Sequence, residues 1–98
     1  MSSTLEEFLH KKVRLQIDTG EIFWGNVRQT EANEAVSLTN VTMQLTNQKV
    51  QEINGIYILK QRIKLLEALT EEAFVEAINV VKLSSHLLHQ KLKKNKKC

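Results

Sequence analysis

The stretch Gly20-Glu-Ile-Phe-Trp-Gly25-Asn-Val-Arg-Gln-Thr-Glu31-Ala-Asn-Glu34-Ala35-Val-Ser-Leu38 decides the fold. It opens on a tight turn, Asp18-Thr19-Gly20, in which Gly20 is free to take a positive φ. Phe23, Gly25 and Val27 then form the inward set of a strand, with Trp24 on the opposite face. Gly25 lacks a side chain, which allows sharp bending or the close approach of another strand. After the polar turn Glu31–Glu34, the residues Val36, Leu38, Val41 and Met43 make the next strand. On the N-terminal side, Val13, Leu15 and Ile17 alternate with Arg14, Gln16 and Asp18, the period of a half-buried strand. On the C-terminal side, Gln44–Lys49 reads as a polar loop, Val50–Ile53 resumes, Asn54-Gly55 interrupts, and Ile56–Leu66 is rich in Ile and Leu. Four or five short strands joined by short turns predict a strongly bent antiparallel sheet or small barrel, because closure limits exposed edges.

Helical spacing brackets this region. Leu5, Phe8 and Leu9 share a face, and Ser3/Glu6 or Thr4/Glu7 offers a capping box, so a short helix is predicted over about residues 4–11. Thr70-Glu71-Glu72 starts a second helix with a cap and two acids at the positive end of its dipole. Phe74, Ile78, Val81, Ser85, Leu88 and Leu92 form one continuous stripe on it, with Val80, Leu83 and Leu87 beside it. The expected organisation is therefore an α+β chain: residues 1–68 as the sheet domain, 69–92 as an amphipathic helix, and 93–98 as a basic tail.

The net charge of +3 is uneven. Lys91, Lys93, Lys94, Lys96 and Lys97 crowd the end, and without those five of the 14 basic residues, the 11 acids leave residues 1–90 at about −2. A body that held nucleic acid through phosphates would carry the opposite sign. No apolar run approaches the roughly 20 residues of a membrane span, and the first residues lack the blocks of a signal peptide. A single cysteine, Cys98, excludes an internal disulfide. The expectation is a reducing compartment, cytoplasm and nucleus.

No nucleophile–base pair, phosphate loop or metal cluster assembles in the sequence, so no enzyme, cofactor or metal is expected. His86 and His89 lack further ligands for a metal site. Trp24 and Tyr57 are aromatics that fill a core or an interface more readily than they stack bases.

The Gly20-x-x-Phe23-x-Gly25 frame with Val27, Val36 and Leu38, followed by Ile53-Asn54-Gly55 before a last strand, resembles the Sm and Sm-like (LSm) family. The resemblance implies a five-stranded, strongly bent sheet whose fourth strand pairs with the fifth of the next subunit, commonly in rings that hold U-rich RNA. The departures are as informative. Where the family places Asp and Met-Asn before the third strand, this chain has Glu31, Glu34 and Ala35; where it places Arg before the second glycine, this chain has Asn54. The side chains that read bases are thus mostly replaced. Within the family the chain is most similar to the Gemin group of the survival-of-motor-neuron complex, through Lys12-Val13-Arg14-Leu15, Ile53-Asn54-Gly55-Ile56 and the helical extension. Val36-Ser37-Leu38-Thr39-Asn40-Val41 is similar to the LSm domain of decapping enhancers.

The function implied is a scaffold that pairs, edge to edge, with another Sm-like protein during assembly of spliceosomal ribonucleoprotein particles. Val50, Ile53, Ile56 and Ile58 are the candidate partner-binding residues on the strand edge, and Phe74, Ile78, Val81 and Leu88 those on the helix. Asn54, Lys91, Lys93 and Lys94 are the candidate RNA contacts for the alternative, an RNA-binding ring subunit. A decapping-type adaptor is the third reading.

Overall fold

The computed structural model describes residues 5–32 and 34–96, with side chains up to residue 85. Five strands form one antiparallel sheet: β1 (Lys12–Ile17), β2 (Ile22–Glu31), β3 (Ala35–Gln44), β4 (Val50–Leu59) and β5 (Ile63–Ala68). Their order is β4-β3-β2-β1-β5, so β4 and β5 are the two edges. A helix, α1 (Glu71–Lys96), follows.

Burial alternates along β1 as the sequence predicts, with Val13, Leu15 and Ile17 buried. These three close on Phe23, Val27, Val36, Leu38, Val41 and Ile58 to form the core on the concave side of the sheet. Gly20 turns β1 into β2 at φ 103°, and its N–H donates to the Ile17 carbonyl at 3.0 Å.

The bend is built at three residues. Along β3 the buried positions shift from Val36 and Leu38 to Val41, which a flat strand would place on the other face. Asn40 takes φ 52° there, and the β2–β3 register slips between Trp24 and Asn26. This bulge lies over Gly25, whose absent Cβ would meet the Thr39 carbonyl oxygen and Val41 Cγ2, each at 3.1 Å. Gly55, paired with Thr39, is crowded more closely, since a Cβ there would meet the Leu38 carbonyl at 2.9 Å. Asn54-Gly55 therefore does not interrupt the strand. It is a close-packing point inside β4, which runs unbroken for 10 residues.

Two further expectations are corrected. The N-terminal segment is a single 3-10 turn, Leu5–Phe8, and not a helix over residues 4–11. His10 at φ 65° ends it, and mutual backbone bonds draw the chain onto β2: His10 N–H to the Val27 carbonyl, Val27 N–H to the Lys11 carbonyl. The capping residues Ser3 and Thr4 lie outside the described residues. At the other end, α1 continues to Lys96, past the boundary expected at residue 92. Lysine is a good helix former, and cations suit the negative end of the dipole.

Helix α1 lies across the convex face of the sheet. Thr70 caps it, with its hydroxyl accepting from the Ala73 N–H at 3.1 Å. Phe74 and Val81 bury against Trp24, with Ile22, Val50, Leu69, Ala77 and Ile78 around them. Lys12 helps to seat the helix: its ammonium sits 5.1 Å from the Phe74 ring centroid and donates to Asn26 Oδ1 at 3.1 Å.

Candidate functional site

The unpaired outer edges of β4 and β5 are the first candidate surface. Lys60 N–H donates to the Glu34 carbonyl at 2.7 Å, in register with the Ala35–Leu59 pairing. In an antiparallel ladder, hydrogen-bonded pairs alternate with pairs whose backbone groups point away. Ile58 and Ile56 therefore spend their N–H and C=O groups on β3, while Gly55, Tyr57 and Leu59 direct theirs outward. The same argument applies to β5, where Leu69 N–H donates to the Lys12 carbonyl at 2.8 Å and leaves Ala68 and Leu66 facing out. Each edge is a row of main-chain donors and acceptors able to add a strand.

The sequence-predicted edge residues all fall on β4, but in a different role. Ile58 is buried, and Ile53 and Ile56 pack against the same concave core, half-covered because no strand lies beyond them. Val50 packs beneath α1. Their side chains hold the edge strand in place, and the outward backbone belongs to Gly55, Tyr57 and Leu59. Periodicity could not reveal this, because it distinguishes faces and not edges.

On α1 the predicted stripe divides. Phe74, Ile78 and Val81 are engaged by the chain's own sheet. The side chain of Leu88 lies outside the described residues, as do those of Lys91, Lys93 and Lys94. Among the residues with described side chains, Val75, Val80 and Leu83 are the exposed large apolar residues of the helix. Between helix and sheet runs an apolar hollow of about 440 Å³, bordered by Arg14, Trp24, Ala77 and Val80. The Trp24 indole N–H is buried there with no acceptor among the described residues.

The second candidate surface is the end of the sheet where the β2–β3 and β4–β5 connections meet. Glu31 and Glu34 stand there as expected, but Ala35 is buried. Asn54 is far along β4, and the residues leading into the last strand are Lys60, Gln61 and Arg62, in a 3-10 turn. Asn54 therefore does not stand at this end of the sheet, where Lys60–Arg62 form the connection from β4 to β5. Arg62 is engaged with Asp18 at 3.1 Å. Tyr57 donates its hydroxyl to Glu31 Oε2 at 2.8 Å. That bond, reinforced by the negative charge of Glu31 and Glu34, raises the phenol's pKa above its usual 10.0. Trp24, under α1, is not available to stack on a base. Among the described residues no group of acids, histidines or cysteines is placed to hold a metal ion, and no helix is long and apolar enough to cross a membrane.

No protein-family model and no curated protein matches the chain. Solved structures do. A heptameric archaeal Sm protein superposes with a TM-score of 0.57 at 11% identity, covering 67% of this chain and 96% of its own. The Pyrobaculum aerophilum SmAP1 heptamer gives 0.59 at 11% identity, covering 71% and 99%. The fold is Sm-like. A chain of the NatC complex bound to CoA shares it, with a TM-score of 0.58 at 12% identity over 78% of this chain and 96% of that one. This Sm-like sheet thus recurs in ring-forming proteins and in a multiprotein complex.

Proposed function

We propose that this Sm-like chain is a non-enzymatic scaffold subunit, joining other Sm-like proteins through the free edges of β4 and β5. In the manner of the sixth Gemin protein, which its sequence resembles, it would serve the survival-of-motor-neuron complex in assembling spliceosomal particles, in cytoplasm and nucleus. The observation that carries the pairing is the presence of two complementary free edges on one sheet, β4 and β5, both with outward backbone groups. Support for a protein partner over RNA comes from the loop end, where Glu31 and Glu34 place negative charge in the path of a phosphate chain.

The edge test is Leu59→Pro. Proline removes an N–H that points outward, so the β3–β4 ladder stays whole while strand addition is blocked. Loss of co-purification with a co-expressed Sm-like partner, with unchanged circular dichroism, is the expected result. Undiminished pairing would overturn the edge assignment. The complex is tested by nuclease-treated affinity purification. Recovery of survival-of-motor-neuron components supports the finer reading, whereas a full LSm ring with RNA, or decapping factors, replaces it. A second reading, a structural subunit of a larger complex of the NatC kind, is favoured by the NatC neighbour, whose match covers 78% of this chain against 67–71% for the two archaeal heptamers. Subunits of a NatC-like complex in the same purification would select it.

A further inference from the structure

The path of α1 carries an inference that rests on the edge pairing above and names the partner. One row of paired residues crosses the whole sheet: Glu67 on β5, Arg14 on β1, Trp24 on β2, Thr42 on β3 and Glu52 on β4. The helix follows this row. It begins beside β5 at Leu69, covers Trp24 with Phe74 and Val81, and reaches β4 at Lys82, whose ammonium lies 3.4 Å from Glu52. It has then arrived at the edge strand with 14 residues still to run, since α1 ends at Lys96. At 1.5 Å per residue those residues span ~21 Å, the width of about four strands at ~4.8 Å spacing. The long axis of the molecule, 57 Å against 27 and 24 Å, reflects this overhang.

A strand added to β4 places the next subunit beneath the overhang. If that strand is the β5 of a second copy, the start of the second copy's own α1 lies next to it, because α1 follows β5 directly. The exposed face at that start has an apolar floor and an acidic rim. Val75 and Val80 are 49% and 57% exposed, and they border a shallow hollow of about 460 Å³ with Glu71, Glu72 and Glu76. The arriving segment carries Lys91, Lys93, Lys94 and Lys96 within the last turns of the helix. One chain thus holds both halves of a charge-complementary contact, at opposite ends of one helix.

We propose that the subunit on the β4 edge is a second copy of this chain, and that the basic end of each α1 lies along the acidic start of the next. The edge sets the geometry, and the helices make the join selective for self.

Sedimentation equilibrium of the full chain tests this in low and high salt, with two charge-reversed variants. One carries Glu72→Lys and Glu76→Lys; the other carries Lys91→Glu, Lys93→Glu and Lys94→Glu. The wild type is expected to self-associate, more weakly in high salt. Each variant alone should associate at least about tenfold more weakly, and an equimolar mixture of the two should recover heterotypic pairing. A wild-type chain that stays monomeric at high concentration overturns the second copy as partner, even where a different Sm-like protein still binds. If Leu59→Pro abolishes association while both reversals leave it unchanged, the helix contact is overturned and the edge pairing stands. If Leu59→Pro has no effect, the edge reading falls and this arrangement falls with it.

Discussion

Single atoms set the bend of this sheet. Gly25 and Gly55 are defined by what a methyl group would strike: a carbonyl and a side chain at 3.1 Å in the first case, a carbonyl at 2.9 Å in the second. The Gly55→Ala variant is expected to lose about 1–3 kcal/mol of stability in urea unfolding, and Gly25→Ala less, because contacts at 3.1 Å with the Thr39 carbonyl and Val41 Cγ2 need a smaller shift than a ladder carbonyl at 2.9 Å. Equal stability of Gly55→Ala and the parent would show that β4 does not approach β3 so closely. Tyr57 gives a second test at this scale. It is the chain's only tyrosine, so its phenolate absorbance titrates without ambiguity. The midpoint should lie above 10.0 and fall toward it in Glu31→Gln. Because the folded pKa is raised, the contribution of this bond to stability is complete below the ordinary value and is lost as pH rises through the raised one.

Among the elements, α1 is held most locally. Its seat is a few apolar contacts around Trp24, a threonine cap and the Lys12–Phe74 contact. Removing the cap in Thr70→Ala should cost about 1 kcal/mol, read as a lower midpoint of thermal unfolding. Phe74→Ala opens the cover over the single tryptophan, so its fluorescence should shift to longer wavelength while the strand signal in circular dichroism persists. Unshifted emission would mean that Trp24 is protected by something other than the helix. The Lys82–Glu52 pair marks where the helix crosses β4 but, being solvent-exposed, adds little to its seating.

For the whole molecule, charge distribution decides what RNA can do. Residues 1–90 sum to about −2, and the surplus of lysine is confined to the end of the chain. Binding to oligouridine is therefore expected to be weak, to vanish as salt is raised, and to disappear when residues 91–97 are deleted. Tight, salt-resistant binding by the deleted chain would place base-reading chemistry on the sheet domain, with Lys60–Arg62 at the β4–β5 connection the first residues to substitute.

Local pattern was enough for much of this. The alternation of Val13, Leu15 and Ile17, the glycine frame, and the start of α1 at Thr70-Glu71-Glu72 are all visible in the sequence. Each depends on contacts between near neighbours or on which face of an element is apolar. The second stripe, Val80 and Leu83, was visible for the same reason. Other features came only with the tertiary structure. Strand order made β4 and β5 the edges, and ladder phase turned the backbone of Tyr57 and Leu59 outward while it directed Ile56 and Ile58 inward. The cover of Trp24 by Phe74 and Val81, and the crossing of α1 over the β4 edge, join residues distant in the chain. An amino-acid pattern records how apolar each face is, but it does not record which neighbour covers that face, and this chain's interaction surfaces are the places its own strands and helix leave uncovered.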